Sequence, residues 1–113
     1  MDKLETLRHY FGHDTFRPGQ ETMVDALLAG RDCLGVMPTG AGKSLCYQVP
    51  ALMRPGVALV ISPLISLMKD QVAALKSAGV PAAYLNSSLT LRQLDLATER
   101  ARMGAYRIIY VAP

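Results

Sequence analysis

Eight residues, Met37-Pro38-Thr39-Gly40-Ala41-Gly42-Lys43-Ser44, have the types and spacing that most directly imply chemistry. Gly40 and Gly42 allow the backbone to turn and aim successive N–H groups at phosphate oxygens. Lys43 brings a positive charge to the β- and γ-phosphates, and the Ser44 hydroxyl can take one position on Mg²⁺. The stretch matches the second half of G-x-x-x-x-G-K-[ST], with Met37 where the general pattern has its first glycine. Before it, Cys33-Leu34-Gly35-Val36-Met37 reads as a buried strand. After it, Leu45-Cys46-Tyr47-Gln48-Val49 reads as a helix that Pro50 stops. A strand, a glycine loop and a helix whose N-terminal N–H groups face the ligand together form a cradle for a nucleoside triphosphate. The plain alternative is a glycine turn before a helix that carries a surface lysine.

The elements that must hold this loop follow from periodicity. Leu4, Leu7 and Phe11 fall on one face of a helix over 2–11, which Gly12 ends. A second helix begins near Pro18, turns Met23, Val24, Leu27 and Leu28 inward, and closes at Gly30. From there strands and helices alternate. Strands are expected over 32–37, 57–61, 82–86 and 107–112, and helices over 43–49, 64–78 and 90–103. The run Val57-Ala58-Leu59-Val60-Ile61 suits a strand buried on both faces. In the helix that follows it, Leu64, Leu67, Met68, Val72 and Leu75 point inward. Thr90 with Gln93 forms a capping box. This alternation implies an α/β fold, a mostly parallel sheet with helices on both faces, preceded by two N-terminal helices. Ligands of such sheets bind beyond the carboxyl ends of the strands. Those ends carry the phosphate loop, Ser62-Pro63, Asn86-Ser87-Ser88 and Ala112-Pro113, so one working surface is expected.

Bulk composition narrows the class. The chain has 113 residues, half of them hydrophobic and 19% charged, which suits one folded domain and argues against disorder. A net charge of +3 tilts towards an anionic partner, although the basic residues are scattered. The longest apolar run, Val57 to Met68, is interrupted by Pro63 and is too short to span a membrane. The N-terminus has no export signal, so a cytoplasmic setting is expected. Cys33 and Cys46 lack metal-ligand spacing and are expected to be free, mostly buried thiols. The chain stops on an apparent core strand, Arg107 to Ala112, as a piece of a longer protein would.

With these residues in place, a family resemblance emerges. Met37 to Ser44 is similar to motif I of superfamily-two helicases, whose pattern does not require the first glycine. Phe11-Gly12-His13 with Phe16-Arg17-Pro18-Gly19-Gln20 resembles motif 0 of RecQ helicases. Val60-Ile61-Ser62-Pro63-Leu64-Ile65-Ser66-Leu67-Met68-Lys69-Asp70-Gln71-Val72 resembles their motif Ia, and Tyr110-Val111-Ala112-Pro113 their motif Ib. The resemblance covers nearly the whole chain. It implies that residues 1–113 are the N-terminal part of the ATP-binding, first RecA-like (P-loop NTPase) domain of a RecQ-type ATP-dependent DNA helicase. It also implies that the chain is cut before the DEAH-type Walker B motif. The implied activity is 3′ to 5′ unwinding coupled to ATP hydrolysis, in DNA repair and recombination, with a nucleoid association in a bacterium.

The resemblance also implies roles for individual residues. Gln20 would read the adenine edge, Arg17 would flank base and ribose, and His13 would stack on the base where the family often has tyrosine. Thr39, Gly40, Ala41, Gly42, Lys43 and Ser44 would hold the phosphates, with Lys43 and Ser44 the catalytic pair and Ser44 on Mg²⁺. Ala41 stands where the family has glycine and keeps the loop narrow. Ser62, Pro63 and Leu64, with Asn86, Ser87 and Ser88, would grip the sugar–phosphate backbone of single-stranded or duplex-junction DNA. Each role has a simpler structural alternative. These are a surface loop for His13, an exposed first-turn residue for Gln20, a helix N-cap with proline for Ser62-Pro63, and a turn for Asn86-Ser87-Ser88. Hydrolysis also needs a Walker B acid, a water-orienting acid and an arginine. No acidic pair follows an apolar strand here, so the fragment alone is expected to be catalytically incompetent. Two further readings stay open: a small P-loop kinase or transferase, and a non-catalytic fragment that binds nucleotide or DNA.

Overall fold

The structure, a computed structural model, describes residues 1–38 and 42–113. It divides into two compact units, Met1–Pro55 and Gly56–Pro113. The first is helical: α1 (Lys3–Phe11), α2 (Gln20–Leu28) and α3 (Lys43–Met53). Asp2 opens α1 with a capping box: its carboxylate accepts from the Glu5 N–H while the Glu5 side chain returns to the Asp2 N–H. Leu7, Val24 and Val49, one from each helix, form the buried centre, and Leu4, Phe11, Phe16, Leu28, Leu45 and Met53 pack around it. Lys3 donates to Asp25 at 2.7 Å and lies 2.9 Å from Glu21, which ties α1 to α2. The Arg54 guanidinium caps the same corner by donating to the Leu27 carbonyl at 3.0 Å.

Two expectations for this unit are corrected. Pro50 does not stop α3, which runs to Met53 with Pro50 buried inside it. A mid-helix proline forfeits one backbone bond and costs about 3 kcal/mol. Here Pro50 still accepts from Arg54 at 3.1 Å, and packing of α3 against α1 and α2 offsets the loss. The expected strand over 32–37 is absent. Residues 31–38 have no regular structure, and Leu34 and Val36 are each 90% exposed. An apolar run marks a tendency to be buried, but a strand exists only beside a partner that takes up its N–H and C=O groups. Among the described residues no strand pairs with this segment.

The second unit is the parallel sheet. Its strands are β1 (Ala58–Ile61), β2 (Ala82–Leu85) and β3 (Ile108–Val111), linked by α4 (Ile65–Ser77) and α5 (Leu91–Arg102). Their order is β1-β3-β2, with Ile61 and Leu85 both level with Val111. The β1-to-β2 crossover passes β3 in one direction and the β2-to-β3 crossover returns, so right-handed connections put α4 and α5 on opposite faces. β3, in the middle, is buried along Ile108–Tyr110, and Met68, Val72 and Leu75 of α4, which packs on β2, are buried in the same unit. The expected capping box of α5 is present, and Gly79 closes α4 at φ +86°. β1 is not buried on both faces: Leu59 is 66% and Ile61 73% exposed. β1 is an edge strand, and its alternation gives only one side chain in two to the core of this unit. Leu64 and Leu67 are likewise exposed rather than inward.

Candidate functional site

The phosphate loop ends at Gly42, which lies in the left-handed region at φ +75° and caps α3. Lys43 and Ser44 therefore occupy the first turn of α3, where the positive end of the helix dipole favours an anion. Lys43 is exposed and makes no ion pair among the described residues; Ser44 is half-buried. Thr39, Gly40 and Ala41 lie outside the described residues.

Gln20 organises this region. It is the first residue of α2, yet only 1% exposed, which removes the alternative of a solvent-facing polar residue. Its Oε1 accepts from the Arg17 N–H at 2.7 Å, and its Nε2 donates to the Gly42 carbonyl at 2.9 Å. One side chain thus joins the turn before α2 to the end of the phosphate loop, 22 residues further on. The contact also dictates glycine at 42, since a Cβ there would run into the Gln20 amide nitrogen. Around this strut lies a pocket of about 290 Å³ lined by His13, Thr15, Arg17, Gln20, Gly42 and Leu45. His13, Arg17 and Gln20, expected from the sequence, therefore share one pocket with the phosphate loop. Thr15 and Leu45 were not foreseen. Their only sequence signal is position, between His13 and Arg17 and one residue past Ser44.

Behind the loop, Met37 takes up the role its side chain allows. Its ε-methyl lies 3.0 Å from where a Cβ on Gly19 would stand, and its sulfur meets the Cys46 Sγ at 3.8 Å. The residue that replaces a glycine in the general pattern is thus a packing anchor for the start of the loop. Burial pushes the Cys46 thiol above its ordinary pKa. Cys33, expected to be buried, is exposed because its segment forms no strand.

The second set of expected residues lies in the sheet unit. Ser62 leaves β1, its N–H donating to Val111 at 3.0 Å. It is not the N-cap of α4. That place falls to Leu64, and the Ser62 hydroxyl accepts from the Leu64 N–H at 3.2 Å instead. Asn86 leaves β2 in a side-chain-closed turn: its Oδ1 accepts from the Ser88 N–H at 2.8 Å and the Ser88 hydroxyl at 2.5 Å. Its amide nitrogen reaches the Met68 sulfur of α4 at 3.4 Å, tying the turn to that helix. Because the strands end level, Ser62-Pro63-Leu64, Asn86-Ser87-Ser88 and Ala112-Pro113 share one edge of the sheet. The phosphate loop, expected on the same edge, belongs to the other unit.

The residues at Ser44 suit Mg²⁺ only in part. A hard cation with a nucleotide takes phosphate oxygens and one or two protein oxygens, and the Ser44 hydroxyl is one such donor. Among the described residues no group of three or more His, Cys, Asp or Glu side chains could hold a metal.

Comparison with known proteins converges on one family. Residues 17–113 match the DEAD/DEAH box helicase family. The chain is 52% identical over 110 residues to the ATP-dependent DNA helicase RecQ of Haemophilus influenzae, covering 97% of this chain and 18% of that protein. It is 48% identical to the RecQ of Bacillus subtilis, covering 95% of this chain and 18% of the relative. With the RecQ of Synechocystis the identity is 44%, over 96% of this chain and 23% of the relative. The chain thus spans less than a quarter of the length of these curated relatives.

Proposed function

The chain belongs to the DEAD/DEAH box helicase family, and on that premise we propose that it is the nucleotide-binding segment of a RecQ-type ATP-dependent DNA helicase. The observation that carries this reading is the Gln20 amide, buried and bonded to both Arg17 and Gly42. Beyond the bonds to Arg17 and Gly42, a side-chain amide has a second N–H and a second oxygen lone pair, which suit the paired donor and acceptor on an adenine edge. A base in the pocket would meet Gln20 while Gln20 holds the phosphate loop, so base identity would be felt at the phosphates. His13 would stack on the base and Arg17 would flank it and the ribose. Leu45 would give the base an apolar wall.

On the phosphate side, Lys43 would neutralise the β- and γ-oxygens, and the α3 N-terminus would donate backbone N–H groups. The phosphate-loop residues Thr39, Gly40, Ala41 and Gly42 would complete the cradle. Ser44 would take one Mg²⁺ position; the metal supplies charge neutralisation at the phosphates when bound. The described residues perform binding and orientation. The longer relatives are named ATP-dependent DNA helicases, and we extend that activity, read as unwinding coupled to ATP hydrolysis, to the protein this segment serves. Single-stranded or junction DNA would run along the edge formed by Ser62, Pro63, Leu64, Asn86, Ser87 and Ser88. Hydroxyl, amide and backbone N–H donors there hold phosphates without reading sequence. The Asn86–Ser88 bond shapes that turn and leaves the exposed Ser87 at its tip.

A small P-loop kinase or transferase is the poorer reading, because it gives no role to the Gln20 strut or to the Ser62 and Asn86 turns. Calorimetric titration of the chain with Mg-ATP tests the proposal. It predicts one weak site that Lys43→Ala weakens about tenfold or more and no phosphate release; binding unaffected by Lys43→Ala would contradict it.

A further inference from the structure

We propose that the cleft along the outer edge of β2, between α4 and α5, is a further single-stranded DNA subsite that takes one nucleotide unit of the strand. The proposal rests on the reading of this protein as one that acts on DNA, and it uses residues that reading leaves unassigned. The cleft holds about 260 Å³, and its apolar floor includes Val72 of α4, Ala82 of β2 and Ala97 of α5. Helix α5 has no buried residue and packs only lightly against β2, which leaves a cleft beside the strand. Small-ligand sites measure roughly 300–1,000 Å³. A smaller, open cleft suits one unit of a chain that continues beyond it rather than an enclosed free ligand.

The polar groups at its rim define the chemistry. Lys76 lies in the last turn of α4 and Arg100 in the last turn of α5, and both line the cleft. Neither makes an ion pair among the described residues; the basic neighbour that does is Arg102, with Glu99. In the last turns these cations also face the helix carbonyl ends, each worth about half a negative charge. Two full charges against two halves leave a surplus of roughly one positive charge for an external anion. Tyr84 and Tyr106 line the same cleft, half-buried, and neither ring packs on another aromatic ring among the described residues. Unstacked aromatic rings beside unpaired cations fit a base and its phosphate. The cleft also begins where a strand would already be: Leu89, at its rim, directly follows the Asn86-Ser87-Ser88 turn.

The test uses the full chain, fluorescently labelled (dT)20, and anisotropy at several salt concentrations. Lys76→Glu with Arg100→Glu should weaken binding about tenfold and flatten its salt dependence, as loss of two phosphate contacts does. Arg92→Glu with Arg102→Glu changes net charge equally, outside the cleft, and should cost less than about twofold if only the overall field is altered. Tyr106→Leu keeps apolar volume but removes the ring, and should cost about threefold or more. Thermal melting confirms that each variant is folded. Equal losses for the two charge reversals would overturn the subsite alone. So would a poly-glutamate peptide that binds through Lys76 and Arg100 while (dT)20 binding is unaffected by their reversal. No (dT)20 binding by the unaltered chain would remove the DNA reading and the subsite together.

Discussion

The two units hold their candidate site residues by different means. In residues 1–55 the site is assembled by one long-range contact, in which Gln20 reaches Gly42 across 22 positions of sequence. In residues 56–113 the side-chain oxygens of the loops close mainly on near neighbours, Asn86 on Ser88 and Ser62 on Leu64, two residues apart. The first arrangement couples separate parts of a pocket and is sensitive to any change at either end. The second presents a preformed turn at a strand end and tolerates local loss. A site that must register one ligand's two ends needs the former, whereas a surface along which a strand must slide is served by the latter.

Substitutions should expose that contrast in order of size. Lys43→Ala should have the largest effect, reducing Mg-ATP affinity by about 10- to 100-fold, the worth of a charge-assisted phosphate contact. Calorimetry measures it, and the melting temperature should stay unchanged because Lys43 is exposed. Gly42→Ala comes next. A left-handed backbone costs a non-glycine residue about 1–2 kcal/mol, and displacement of the Gln20 amide adds about 1 kcal/mol. Denaturant titration should show a loss near the sum, confined to the helical unit. Gln20→Ala leaves the Arg17 N–H and Gly42 carbonyl without their partner and should cost about 1–3 kcal/mol. Asn86→Ala removes the turn bonds to Ser88 and a weak contact to the Met68 sulfur, at a half-exposed site, for about 0.5–1.5 kcal/mol. If Asn86→Ala proved as damaging as Gln20→Ala, the contrast between the units would fail. The smallest effect is chemical. Iodoacetamide near pH 8 should modify exposed Cys33 well before Cys46, whose raised pKa leaves less thiolate.

The same contrast explains what could be read from the sequence. Features set by neighbours in the chain were legible: the Thr90–Gln93 box, the glycine stop of α4 at Gly79, and the start of α3 just after Gly42. The five helix and strand assignments downstream of Pro55 need only local pattern, and β1, β2 and β3 lie within the expected strands. Features set by partners elsewhere were not legible. The 32–37 run has the composition of a strand but no strand beside it among the described residues. Leu59 and Ile61 have core composition at a strand edge. Pro50 has the chemistry of a helix stop, but its packing overrides it. In the pocket, the family resemblance pointed to His13, Arg17 and Gln20, yet neither the Gln20–Gly42 bond nor the walls at Thr15 and Leu45 leave a periodic signal.

The central claim is that Gln20 reads the base and holds the phosphate loop with one amide. Calorimetric titration of the chain and of Gln20→Ala with Mg-ATP, Mg-GTP and magnesium tripolyphosphate tests it most directly. The account predicts that Gln20→Ala weakens all three through the loop, ATP most of all, so that the preference for ATP over GTP collapses. An equal loss for ATP and GTP would contradict the reading role, and undiminished tripolyphosphate binding would contradict the hold on the loop.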